Sequence, residues 1–100
     1  MSVKLTNSAG NVFDDLGFPA AEAENLRIRS DLMVHLINVI ESRGLTQLDA
    51  AKILGVTQPR VSDLVCGKID LFTIDMLVKM LALAGAHVSL TVAPASRGVT

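Results

Sequence analysis

The 100-residue chain has no tryptophan, no tyrosine and only three phenylalanines. It therefore lacks the aromatic platforms on which single-strand nucleic-acid binders stack bases. Its one cysteine, Cys66, excludes an intramolecular disulfide and fits a reducing compartment. Together with His35 and His87 it matches no recognised zinc spacing. Neither a Gly-rich phosphate loop nor a serine-hydrolase turn is present, so the chain reads as non-enzymatic, with no cofactor, metal or small-molecule ligand expected. The first residues show no basic cluster and no apolar core of a signal peptide. Gly85, His87 and Pro94 interrupt the uncharged run from Met80 to Ser96, which is too broken for a membrane span. A soluble, cytoplasmic protein is expected. Charge of one sign is also missing: nine Lys and Arg stand against ten Asp and Glu, for a net charge of -1.

That balance lacks the strongly basic footprint of many nucleic-acid binders, but the charge is unevenly placed. Residues 1–24 set Lys4 against Asp14, Asp15, Glu22 and Glu24, whereas residues 46–68 set Lys52, Arg60 and Lys68 against Asp49 and Asp63. The acidic excess lies in the first segment.

Half of the residues are apolar, enough for the modest core of one domain. Four segments have helical periodicity: 20–43, with a break expected between Leu26 and Ser30; 47–54; 58–65; and 74–84. In the first, Leu32, Met33, Leu36, Ile37, Val39 and Ile40 form a broad apolar face, and His35 falls on the surface one turn from Asp31. Thr46 caps the second, with Asp49 completing an acidic capping box, and Gly55 ends it after about two turns. Thr57 caps the third, Pro59 falls in its first turn, and Gly67 closes it. Ala50, Ala51, Leu54, Val61 and Leu64 point inward, leaving Gln58, Arg60, Ser62 and Asp63 facing out. Cys66 reads as a small packing residue. Thr73 caps the last helix, with Phe72 and Leu77 placed as a hydrophobic staple, and its apolar surplus exceeds one face.

Residues His87 to Val92 alternate with period two and stop at Pro94, the pattern of one half-buried strand with Val88, Leu90 and Val92 inward. No comparably strong second strand is apparent; Asn11-Val12-Phe13 is a weak candidate. The expected partner is the same segment of another copy, paired antiparallel across a two-fold axis. Residues 1–17 read as a flexible arm with sticky points at Val12, Phe13 and Leu16, and 94–100 as a polar tail.

The 23-residue stretch TQLDAAKILGVTQPRVSDLVCGK, residues 46–68, resembles without a gap the helix-turn-helix of the Cro and phage-repressor (Xre) family. GNVFDDLGFP near the start, the Arg-Gly-Leu-Thr-Gln junction at 43–47 and the strand-like end further resemble HigA-type antitoxins of toxin–antitoxin operons over most of residues 10–93. The resemblance implies a mainly α, phage-repressor-like domain of four to five helices over 18–93, with a C-terminal strand paired across a homodimer. It implies a sequence-specific transcriptional repressor on a palindromic double-stranded operator, autoregulating its own operon. The second motif helix then enters the major groove. Gln47 and Lys68 match phosphate-contacting positions, Gln58 and Pro59 the two leading groove positions, and Asp63 a later one. Thr57, Arg60 and Ser62 complete the expected surface, with Arg60 suited to a guanine or a phosphate. Pro59 departs from the family's usual hydrogen-bond donor and offers only apolar contact. The alternative reading is a protein-binding antitoxin that neutralises a basic RelE-like toxin through the acidic arm and first helix, with weak or partner-dependent DNA binding.

Overall fold

The computed structural model describes residues 2–6 and 19–93, and α1 (Ala20–Ser42) runs unbroken as its longest element. The expected break at Leu26 to Ser30 does not occur, because side-chain ties one turn apart span it. Arg27 pairs with Glu24 at 3.1 Å and Asp31 at 3.3 Å, and Arg29 donates through Nε to Asn25 Oδ1 at 2.7 Å. The hydrogen bond to Glu24 raises the pKa of the Arg27 guanidinium above its ordinary value; burial opposes this, and the charges of Glu24 and Asp31 add to it. Asp31 thus faces Arg27 rather than His35, which is half-buried. Ala23, Leu26, Leu32, Met33, Leu36, Val39 and Ile40 form the buried stripe of α1.

Two eight-residue helices follow, α2 (Gln47–Leu54) and α3 (Gln58–Val65), each opened by the threonine that the sequence supplies. Thr46 Oγ1 accepts from the Asp49 N–H at 3.1 Å, and Thr57 Oγ1 from the Arg60 N–H at 3.3 Å. A 3-10 turn, η1 (Ile69–Leu71), links α3 to α4 (Ile74–Leu83), which Thr73 caps through the Met76 N–H at 3.2 Å. Phe72 and Leu77, the anticipated staple, are both buried.

α1 packs against α4 and touches α3 and η1, while α2 packs against both α3 and α4. Leu32, Leu36, Val61, Leu64, Phe72, Leu77 and Leu81 are fully buried where these faces meet. Each such side chain contributes about 1.5–3 kcal/mol relative to exposure, and together they fix the pose of the two short helices. The apolar surplus of α4 is only partly absorbed: Leu83 is 60% exposed, beside an open groove of about 200 Å³ lined by Leu54, Gly55, Val56, Met76 and Met80.

The strand expectation needs correction. β2 (His87–Thr91) does form, but within the chain it pairs with β1 (Ser2–Thr6), a segment assigned to the arm. The pairing is parallel, with Ser2 opposite His87 and Thr6 opposite Thr91. Parallel strands need a long crossover, and the whole helical body between them supplies it. The inward stripe is also shorter than expected. Val88 packs against the core, whereas Leu90 is 72% and Val92, just past the strand, 91% exposed. Asn11-Val12-Phe13, the rest of the arm over 7–17 and the tail over 94–100 lie outside the described residues.

Candidate nucleic-acid interface

The turn between α2 and α3 sets the geometry of the surface. Gly55 closes α2 at φ 68 and ψ 32, and the N–H groups of Gly55 and Val56 both return to the Ala51 carbonyl. An L side chain rarely adopts this conformation, which reverses the chain in two residues and brings Thr57 to the start of α3. Small, buried Ala50 and Ala51 let the helices approach closely.

At about 100° per residue, Val61 and Leu64 define the inward direction of α3. Pro59 then points almost directly away from the core, and Ser62 and Asp63 lie about 130° from the inward direction. Gln58 sits on the boundary. Gln58 and Pro59 are exposed; Ser62 and Asp63 are half-buried. Gln47 and Thr57 are exposed at the N-terminal ends of α2 and α3. The Thr57 hydroxyl accepts its capping bond and keeps its own O–H to donate. Thr57, Gln58, Pro59, Ser62 and Asp63 share the outer side of α3, and Gln47 stands at the far end of α2 from the turn.

Two of the expected residues are already engaged. Lys68 Nζ lies 3.5 Å from Asp63 Oδ1, a pair whose lysine is well exposed and which is therefore weak and readily exchanged. Arg60 turns back: its Nη1 donates to the Leu71 carbonyl at 3.2 Å, and its guanidinium lies 5.6 Å from the centre of the Phe72 ring. Cys66 is exposed just beyond α3 rather than packed. Lys52, which the sequence did not single out as a site residue, is the one Lys or Arg in residues 19–93 with neither an ion pair nor a hydrogen bond. Nothing in its local pattern marked it, because Arg29, Arg43 and Arg60 are committed to carbonyls eleven or more positions away.

This helix-turn-helix arrangement is matched by a comparison of the whole chain. Residues 12–93 fit the family model of a helix-turn-helix domain. The chain belongs to the helix-turn-helix domain family. No curated protein matches it. Membership as a helix-turn-helix domain points to a DNA-binding regulator rather than an enzyme. Among the described residues of this helix-turn-helix domain, no group of three His, Cys, Asp or Glu could hold a metal ion, and no helix is long and apolar enough to cross a membrane.

Proposed function

We propose that this helix-turn-helix protein is a cytoplasmic, Xre-type repressor that binds a palindromic operator as a homodimer and serves as the autoregulating antitoxin of its operon. The observation that carries the DNA-binding part is the outward face of α3, where Gln58, Pro59, Ser62 and Asp63 stand clear of the core on a helix held by buried Val61 and Leu64. These four face base edges, and Gln47, Thr57 and Lys68 face phosphates. Pro59 contributes apolar contact to a thymine methyl, and Asp63 accepts from a cytosine amino group. Two observations support the homodimer: Leu90 and Val92 are exposed beside the sheet, and Leu83 is exposed beside the apolar groove.

A second reading, weak or partner-dependent DNA binding by an antitoxin whose main task is to hold a basic RelE-like toxin, is favoured by how few cations are free near α3. Glu22 is exposed in the first turn of α1 and is complementary to such a partner. A reading frame for a small basic ribonuclease beside this gene supports the antitoxin role, and its absence favours a plain regulator.

The test is fluorescence anisotropy of the full chain on duplex DNA from upstream of its own gene, against a scrambled duplex, across a salt series and with Gln58→Ala alongside. Preference for the native duplex, lost in Gln58→Ala, is the expected result. One phosphate-facing cation per copy, Lys68, and two copies predict a slope of log K on log salt of about -2. Equal, weak binding to both duplexes by the isolated protein overturns the repressor reading in favour of the partner-dependent one.

A further inference from the structure

Each of the four arginines in residues 19–93 donates to an oxygen of this chain: Arg27 to Glu24 and Asp31, Arg43 to the Ala84 carbonyl, and Arg29 and Arg60 to one and the same short segment. From α1, Arg29 Nη1 reaches the carbonyls of Ile69 at 3.1 Å and Phe72 at 3.4 Å. From α3, Arg60 Nη1 reaches the Leu71 carbonyl at 3.2 Å and lies over the Phe72 ring. Of the 3-10 turn held this way only Ile69 packs against the core, half-buried, while Asp70 and Leu71 are exposed. Such turns have poor hydrogen-bond geometry, so packing and backbone bonding alone hold η1 weakly. The turn follows Lys68 directly, and the Leu71 N–H donates back to the Lys68 carbonyl at 3.1 Å.

Helix geometry gives the same answer independently. Arg60 lies only about 70° from the inward direction of α3, on its flank, whereas Pro59, Ser62 and Asp63 lie far outside it. A side chain at that angle is aimed along the protein surface rather than at a groove in front of the helix.

We infer that Arg60 is a positioning residue that, with Arg29, fixes η1 and thereby places Lys68, and that it is not a reader of bases. Lys68 acts on a phosphate only under the DNA-binding function proposed above, and to that extent the inference rests on it; the grip on η1 does not. Base readout then falls to Gln58, Pro59, Ser62 and Asp63, a set with an apolar contact and a strong acceptor but no cation. Phosphate attraction comes from beside the recognition helix rather than from within it.

The test has two arms on the full chain. In the first, amide hydrogen exchange of the free protein is compared for wild type, Arg60→Ala and Arg29→Ala. Both variants should speed exchange at the Leu71 and Phe72 amides, with the amides of α2 unchanged, and unchanged exchange at those two positions overturns the grip. In the second, Arg60→Ala, Lys68→Ala and the double variant are titrated, well below their melting temperatures, against the upstream duplex and its series of single base-pair substitutions. Arg60→Ala should weaken every duplex by a similar factor, about five- to tenfold, and should cost no further affinity once Lys68 is removed. A purely structural arginine leaves no such coupling with Lys68, and losses that simply multiply overturn the placement of Lys68. A loss concentrated at one base pair makes Arg60 a reader and overturns the inference. If wild type does not distinguish the upstream duplex from a scrambled one, the DNA-binding reading is what has failed, and hydrogen exchange alone decides the grip.

Discussion

Replacing Gly55 by alanine should strain the α2–α3 turn by an amount that a matched control can separate into two parts. Gly55 sits at φ 68, and Gly44, after α1, at φ 63. For an L residue the left-handed conformation costs roughly 1–2 kcal/mol, offset by about 0.4–1 kcal/mol because alanine stiffens the unfolded chain. Gly44→Ala meets nothing within 4 Å, so only this balance applies, about 1 kcal/mol. At Gly55 the added Cβ lies 3.2 Å from Leu83 Cδ1. Leu83 is largely exposed and can turn aside, which adds about 0.5 kcal/mol for a displaced rotamer. Thermal unfolding followed by far-UV circular dichroism should place Gly44→Ala about 4–8 °C below wild type and Gly55→Ala about 6–12 °C below it. In a Leu83→Ala background the gap between the two should close. The reasoning is refuted if Gly55→Ala melts at or above wild type, or if the gap survives the loss of Leu83.

Removing either motif cap, by Thr46→Ala or Thr57→Ala, should cost about 1 kcal/mol in urea unfolding, because each deletes a side-chain acceptor for an exposed helix N–H. Leu64→Ala, at a fully buried site between α3 and the core, should cost about 2–5 kcal/mol and leave a large part of the chain unfolded at 37 °C by the same assay. Asp63→Asn should raise affinity for all duplexes by a few-fold at low salt while flattening the preference at one base pair, measured by anisotropy on the substitution series. Leu90→Lys combined with Val92→Lys should leave the helical signal intact, since neither side chain is buried, and should reduce a dimer to a monomer in light scattering.

Local signals carried the helical part of the fold. The limits of α2 and α3, their threonine caps, the glycine turn and the burial of Val61 and Leu64 all follow from residues within a few positions of each other, where capping and periodicity act. What escaped depends on distance along the chain. The grip of Arg29 on Ile69 and Phe72 joins residues some forty positions apart, and no pattern around Arg29 announces it. Arg60 looked free because its helix position is polar, although its flank angle already directs it toward the next turn. β1 was missed for a related reason. Ser2–Thr6 is short and was read only as part of an arm, and its partner lies beyond four helices. The expected break in α1 failed in the opposite sense, since close-range pairs around Arg27 and Arg29 outweighed a weak apolar pattern.

The parallel pair of β1 and β2 also orders events in time. On a ribosome β1 is the first of these elements to emerge and β2 the last, so β1 waits without its strand partner while every helix is made. The helices make mostly short-range contacts and can assemble early, whereas closing the strand pair spans almost the full chain and comes late. A stalled or shortened product ending before His87 therefore carries the complete α2–α3 unit and an unpaired β1 edge. It would be competent at the helical surface while offering an open strand to any neighbouring chain.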